Sequence, residues 1–241
     1  MDPFERLCAL GFDDRDARTL ADHFIDAEAR GKAGHGFSRV DWLETLDWID
    51  PSAKPRREVR EPGYERWDGN GALGYLTLAA IVDATLADPP EHARLVVGRR
   101  TFPTGVLGYW VRKLAGGGLI AALTATSPRR LGHPDGGPKL TGTNPLAIAI
   151  PSSDGRPMVV DVSMGKVTYG AVLAGLEREA DLVPFGGESA HKAFALAVGL
   201  QLLVDALAGE EHGAVLVVAP PDHDPVPAFR DLAQGVRLPG G

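Results

Sequence analysis

Two short apolar segments in the second half of the chain constrain its fold more than any other feature. Leu146–Ile150 and Met158–Val162 are predominantly apolar, and the turn-forming sequence PSSDGRP joins them. Two such segments around a polar turn predict a β-hairpin, and therefore a sheet with antiparallel strands. Ser163, Gly165 and Thr168 follow the hairpin and suit a backbone that meets a ligand. Most short stretches of this kind are plain sheet-edge loops, so the residues alone only hint at a binding site.

The rest of the chain predicts an α/β body behind a helical N-terminal part. Apolar periodicity and capping residues predict helices over 13–30, 38–49, 72–86, 105–115 and 189–207, and strands over 94–97, 119–125 and 214–219. The Pro- and charge-rich residues after Pro51 predict a solvated linker that ends near Arg66. We therefore expect a helical region over residues 1–66 and an α/β body over residues 67–241.

Composition argues against several classes of partner. A net charge of −7 disfavours nucleic acids and anionic membranes, because both bind basic surfaces. The single cysteine, Cys8, cannot form an internal disulfide and suits a reducing compartment. The most apolar stretch, residues 193–208, contains Gln201 and Asp205 and is predicted to be too short and too polar to cross a membrane. We expect a soluble, cytoplasmic protein.

The loop GHGFSR contains the first candidate for chemistry. Its glycines leave His35 uncrowded, and Arg39 lies about one helical turn further along. A histidine can exchange a proton near neutral pH, and an arginine can bind a carboxylate through two parallel hydrogen bonds. The alternative is a helix-capping histidine followed by a surface arginine. No metal-ligand spacing, Rossmann glycine fingerprint or phosphate-binding loop is present in the sequence.

A second candidate is FGGESAHKAF, where two glycines precede a predicted helix. The free N–H groups of that helix start, with Lys192 nearby, could bind a phosphate or carboxylate. An ordinary helix capped by Glu188 and Ser189 explains the same residues equally well.

Seven segments follow one another along the chain: GHGFSR, WDGNGALG, GVLGYW, TGTNPLAIAIP, VVDVSMGKVTYG, PFGG with HKAFALAV, and VRLPGG. They resemble, in the same order, motifs of the malate/L-lactate dehydrogenase family of the second type. That family includes ureidoglycolate, sulfolactate and 2,3-diketogulonate oxidoreductases and cyclic-imine carboxylate reductases. Each motif is weak alone, but seven in the right order are hard to obtain by chance.

The resemblance implies a non-Rossmann, mixed-sheet α/β fold and an obligate homodimer. It implies NADH or NADPH bound partly at the subunit interface, and hydride transfer at a C=O or C=N bond next to a carboxylate. By position it makes His35 the proton donor and Arg39 the carboxylate clamp. It places Thr143 and Asn144 with Arg39 at the substrate. The residues implied at the cofactor are Asp161, Val162, Ser163, Lys192, Pro239 and Gly240.

Three departures from the family pattern leave the activity open. Pro103 stands where family members carry a histidine proposed as an acid/base, and proline cannot transfer a proton. The segments between Tyr169 and Pro184 and between Ala219 and Val236 are shortened, and the family's C-terminal extension has no counterpart after Gly241. Retention of His35 and Arg39 favours a reductase. Pro103 and the shortened segments favour a non-redox enzyme acting on a keto or imino acid. A non-catalytic binding protein is the third hypothesis.

Overall fold

The structure is a computed structural model that describes residues 2–240. The helices are α1 (Pro3–Ala9), α2 (Asp14–Ala29), α3 (Ser38–Leu43), α4 (Gly74–Ala87), α5 (Leu107–Gly116), α6 (Tyr169–Leu173), α7 (Ala190–Ala208) and α8 (Val226–Leu232). The strands are β1 (Arg56–Glu61), β2 (Tyr64–Asp68), β3 (Arg94–Arg99), β4 (Ile120–Ala125), β5 (Leu131–Gly132), β6 (Lys139–Thr141), β7 (Leu146–Ile150), β8 (Met158–Val162) and β9 (Gly213–Ala219). Short 3-10 turns cover Ala33–His35, Glu179–Asp181 and Gly187–Ser189.

Seven strands form one mixed sheet in the order β1-β2-β3-β9-β4-β7-β8. Only β2 and β3 are parallel neighbours, and the other pairs are antiparallel. The predicted hairpin is confirmed with its predicted bounds, since Leu146 pairs with Val162 and Ile150 with Met158. The mixed-sheet, non-Rossmann α/β fold is therefore also confirmed.

The predicted linker is wrong, because its residues form the edge hairpin β1–β2 of the main sheet. The carboxylate of Glu65 is buried there, 3.2 Å from Arg94, and accepts a hydrogen bond from the indole of Trp67 at 2.9 Å. A buried carboxylate is tolerated only when it is paired and hydrogen-bonded, and the sequence does not reveal a partner 29 residues away. The boundary predicted at residue 66 falls inside β2.

The predicted helix over 38–49 is shorter in the structure and ends at Leu43. The hydroxyl of Thr45 donates a hydrogen bond to the carbonyl of Trp42 at 2.7 Å, which offers the backbone an alternative to a further helical turn. Trp48 is consequently half-exposed rather than packed in the core.

The sheet buries apolar residues on both faces, as its strand periodicity requires. On one face, Val96 and Leu216 pack with the N-terminal helices in the main core, whose largest buried side chain is Trp110. On the other face, Val97 and Val215 pack against the α7 residues Val204 and Ala208.

Helix α7 also presents an apolar face to solvent, which includes Leu196, Leu202, Leu203 and Leu207. With its preceding 3-10 turn, α7 forms the segment Gly187–Ala208, which is longer than the predicted stretch 193–208 and is long and apolar enough to cross a membrane by length and composition alone. A helix that covers the sheet of a globular protein passes the same test, and α7 packs on β3, β4 and β9.

Candidate functional site

A cavity of about 320 Å³ opens where the N-terminal helical region meets the sheet. Small-molecule sites typically span about 300–1,000 Å³, so this volume suits a small ligand. Segments separated in sequence line it: the turn before α3 and α3 itself, the loop before α5, the residues that follow β4, the residues that precede β7, the end of β8 with the residues after it, and α6. The predicted site residues that it brings together are His35, Arg39, Thr143, Asp161 and Ser163.

Arg39 lies in the wall of this cavity and is only 7% exposed. Its Nε donates to the carbonyl of Gly34 at 2.8 Å, and its guanidinium lies 5.0 Å from the ring centroid of Trp42. Among residues 2–240 no carboxylate forms an ion pair with Arg39. Burial of an unpaired cation is costly. The guanidinium is therefore ready to bind an anion in the cavity.

A backbone contact between two glycines fixes the loop that carries His35 and Arg39. A Cβ atom at Gly34 would lie 2.8 Å from both the Cα of Ala171 and the carbonyl carbon of Gly170. A Cβ atom at Gly170 would overlap Arg39 Nη2 and the carbonyl oxygen of Gly34. Only glycine at both positions allows the 3-10 turn to approach α6 this closely.

His35 borders the same cavity and is neutral at physiological pH. Burial, reinforced by the positive charges of Arg39 and Lys32, lowers the pKa of His35 from its ordinary 6.5 to about 3. Its Nδ1 is buried and has no hydrogen-bond partner within residues 2–240. A neutral imidazole beside an unpaired guanidinium can accept a proton, including one taken up when an anion binds.

The low pKa of His35 predicts a loss of stability in acid. Below pH 6.5 the unfolded chain binds a proton on this histidine, and the folded protein does not do so until about pH 3. The free energy of unfolding is therefore expected to fall as the pH drops from 6.5 towards 3, by at most about 1.4 kcal/mol per pH unit from this group. Urea unfolding at several pH values should show a shallower decline for His35→Asn. The exposed His191 provides the control, and equal slopes for His35→Asn and His191→Asn would contradict the assignment.

Asp161 borders the cavity and also holds the start of α5. Its Oδ2 accepts a hydrogen bond from the backbone N–H of Gly108 at 2.9 Å. Burial raises the pKa of Asp161, although the Gly108 N–H, Lys32 and Arg112 oppose the shift. The structure thus gives Asp161 a structural contact in addition to its predicted place at the cofactor.

His23 lies beneath the loop before α5 and was not among the predicted site residues. It is fully buried, and its Nε2 accepts a hydrogen bond from the N–H of Val106 at 3.1 Å. The ring stacks on Trp110 with centroids 5.1 Å apart. Gly105 has φ +68° and contacts this ring so closely that a Cβ atom there would overlap it. His23 falls on the same helical face as the buried Leu20, a sequence signal that marks it as an interior polar residue.

The loop above His23 contains Pro103, which lines the cavity. The position at which the family resemblance implies a histidine therefore lies in this site, and proline offers no ionisable group there. Any proton exchanged in the cavity must come from another side chain or from water.

Five predicted site residues do not line the cavity. Asn144 is fully buried, and its amide donates to Gln201 and Ala197 of α7 at 2.9 and 3.2 Å, which holds this side chain against α7 outside the cavity lining. Val162 points away from the cavity lining and Lys192 is exposed on the first turn of α7. The tail residues Pro239 and Gly240 are exposed near the outer strand, and a Cβ atom at Gly240 would lie 3.0 Å from the carbonyl oxygen of Val159.

The cavity also contains charged and aromatic residues that the sequence did not single out. Tertiary proximity brings them to the cavity, and only Tyr169, within VVDVSMGKVTYG, lies in one of the motifs. They are Lys32, Trp42, Tyr75, Arg130 and Tyr169.

The comparison with known families agrees with the fold and with the order of the motifs. The sequence model of malate/L-lactate dehydrogenase matches residues 4–182, which include most of the residues lining the cavity. The chain belongs to the malate/L-lactate dehydrogenase family. The resemblance stated from the motifs is confirmed.

Individual members of the malate/L-lactate dehydrogenase family are similar at moderate identity. The malate dehydrogenase of Pyrococcus horikoshii is 27% identical over 84% of this chain and 64% of its own length. The (2R)-3-sulfolactate dehydrogenase (NADP(+)) of Chromohalobacter salexigens is 32% identical over 68% of this chain and 50% of its own length. The chain thus spans about half to two thirds of these curated relatives.

A solved structure extends the likeness over the whole fold. The Δ1-piperideine-2-carboxylate reductase of Pseudomonas syringae pv. tomato superposes with a TM-score of 0.81 and covers 99% of this chain and 88% of its own. The two sequences are 23% identical, so the likeness shows a shared fold. Which reaction this family member performs must be argued from its own residues.

Proposed function

We propose that the chain is an oxidoreductase that reduces the C=O or C=N bond next to a carboxylate, with NADH or NADPH as hydride donor. The observation that carries the proposal is Arg39, a buried guanidinium without an acidic partner among residues 2–240, beside His35 in one cavity. Curated relatives named for hydroxy acids and for cyclic imino acids support the same substrate class.

Arg39 orients the substrate in this proposal. Its Nε is already bonded to Gly34, so the plane of the guanidinium is fixed before a ligand arrives. Its two Nη atoms can donate two parallel hydrogen bonds to the substrate carboxylate. The carbon next to that carboxylate then lies on the side of His35.

The residues around the cavity fit the nicotinamide end of the cofactor. Val106 and Leu107 offer an apolar wall for a flat ring, and the hydroxyls of Thr143 and Ser163 can bond to a carboxamide. Bound NAD(P)H would supply the hydride. Asp161, adjacent to Ser163, is held by Gly108 and stays in place while a ligand binds.

His35 receives its proton together with the substrate. Burial is the main cause of the low pKa of His35, and the positive charge of Arg39 is the second. A bound carboxylate neutralises that charge, so binding of an anionic substrate removes one cause of the low pKa and favours protonation of His35. Reduction of a carbonyl creates an oxyanion, which takes this proton and leaves His35 neutral again.

A non-redox reaction on the same class of substrate is the alternative, and Pro103 is the observation that favours it. The cavity contains only one histidine, and the residue that would share proton transfer in relatives is proline. An enzyme that binds a keto or imino acid and moves only protons would need Arg39 and His35 but no cofactor.

Titration with NADH and with NADPH, followed by nicotinamide fluorescence, separates the two functions. The reductase is expected to bind one of them well below millimolar concentration. Absence of binding of either at millimolar concentration would exclude the reductase. If binding occurs, His35→Ala is expected to abolish turnover of a 2-oxo acid, and unchanged turnover would assign the proton to another group.

We further propose that the protein is a homodimer, as the family resemblance implies. The exposed apolar side chains of α7, Leu196, Leu202, Leu203 and Leu207, are an apolar surface of the kind that subunit interfaces cover. Sedimentation at micromolar concentration should give twice the mass of the chain, and a monomer mass would contradict this. A cytoplasmic location also stays a prediction, which cell fractionation would test.

A further inference from the structure

The charged residues around the cavity carry more positive charge than one carboxylate can neutralise. The lining includes the cations Lys32, Arg39 and Arg130 and a single acid, Asp161. This excess is local, because the chain as a whole has a net charge of −7. A substrate with one carboxylate on Arg39 would leave cationic groups around the cavity without a partner.

Arg130 is the second guanidinium in this wall, and it is held in a fixed orientation. Its Cζ lies 3.5 Å from the centroid of the Tyr169 ring, a close cation–π contact. Its buried Nε has no hydrogen-bond partner within residues 2–240. The carboxylate of Glu179 approaches only to 4.0 Å and is 76% exposed, so this ion pair contributes little.

Arg39 and Arg130 contact consecutive residues of α6. Arg39 Nη2 lies against Gly170, while Arg130 stacks on Tyr169. Both guanidinium groups therefore line one cavity, and both lie against α6. A small molecule with an anionic group at each end is the ligand that would use both.

We propose that Arg130 binds a second anionic group of the substrate, and that the substrate is a 2-oxo or 2-imino acid with a carboxylate or another oxyanion at its far end. The inference rests on the proposed function, in which Arg39 binds the carboxylate next to the reacting carbon. A phosphate of the cofactor has the same anionic chemistry, and the experiment distinguishes the two sources.

The test compares acids of equal chain length that differ in one terminal group. The pairs are 2-oxoglutarate with 2-oxopentanoate, and oxaloacetate with 2-oxobutyrate. The member with two carboxylates is expected to be reduced with a kcat/KM at least about tenfold higher, because a charge-assisted bidentate contact is added. Arg130→Met is expected to remove this preference, because it lowers kcat/KM for the member with two carboxylates at least about tenfold more than for the member with one. Arg130→Lys keeps the charge without the planar fork and should retain part of the preference.

Arg129→Met is the matched control, because Arg129 is the exposed neighbour outside the cavity lining. It should leave both members of each pair unchanged. A preference that survives in Arg130→Met would overturn the proposal. So would an Arg130→Met variant that loses affinity for NADH or NADPH while its substrate preference stays the same, since the anion would then belong to the cofactor.

Binding of unreactive acids keeps the inference separate from the redox activity. Trp42 and Trp48 line the cavity, so their fluorescence should report binding of glutarate and of pentanoate. Tighter binding of glutarate that depends on Arg130 would support the second anion site even if no 2-oxo acid is reduced, a result that contradicts only the proposed function. Equal binding of the two acids, or binding of neither, would overturn the inference.

Discussion

Arg39→Met is expected to lower kcat/KM for a 2-oxo acid about 10³-fold while leaving the folded protein at least as stable as wild type. Loss of one partner from a buried, charged hydrogen-bond pair costs roughly 4 kcal/mol, which corresponds to that factor. Stability behaves differently, because the substitution removes a buried cation without an acidic partner. It loses the hydrogen bond to Gly34, which contributes about 1 kcal/mol, and the contact of the guanidinium with the Trp42 ring.

The measurement pairs steady-state kinetics with urea unfolding of the same variant. Arg15→Met provides the control, since the Arg15 side chain is 81% exposed and far from the cavity lining. A large loss of stability in Arg39→Met would mean that Arg39 supports the fold rather than a ligand. Unchanged kinetics would remove Arg39 from the substrate site.

Gly34→Ala should destabilise the protein by about 2–3 kcal/mol and disrupt ligand binding at the same time. The added methyl group would meet the backbone of Gly170 and Ala171, which cannot rotate away as a side chain could. The 3-10 turn must then move away from α6 and take His35 and Arg39 with it. In a thermal scan this corresponds to a drop of about 5–10 °C for a chain of this size.

Gly116→Ala is the matched substitution, because a Cβ atom at Gly116 meets nothing within 4 Å. Its effect should stay within about 0.5 kcal/mol. If Gly34→Ala unfolds at the same temperature as Gly116→Ala, the close approach of the turn and α6 does not determine stability.

Local patterns were sufficient for the parts of the fold that depend on near neighbours. The β7–β8 hairpin follows from its turn, and α2 follows from Asp13, whose side chain accepts the hydrogen bond from the Asp16 N–H that caps the helix. The β1–β2 hairpin was missed because its stability depends on a buried ion pair between Glu65 and Arg94. Charged residues at these positions have the composition of a linker, and only tertiary structure reveals their partners.

The candidate site shows the same division between local and tertiary information. Motif order placed His35, Arg39 and Asp161 together, and the structure brings them to one cavity. No motif reveals the burial that keeps His35 neutral or the stacking that orients Arg130. The burial of His35 depends on the depth of the cavity, and Arg130 stacks on Tyr169, more than 35 residues further along the chain. Spacing in the sequence encodes neither.

Because Gly34 contacts Gly170, the position of the loop with His35 and Arg39 does not depend on which side chains α6 carries into the cavity. The loop with His35 and Arg39 is held by backbone against backbone, so the side chains of α6 are not needed for its support. Tyr169 and Leu173 border the cavity, and their side chains can be substituted without moving His35 and Arg39. Single substitutions on α6 can therefore change which substrate side chain the cavity accepts. The positions of His35 and Arg39, and with them the proton transfer, stay the same.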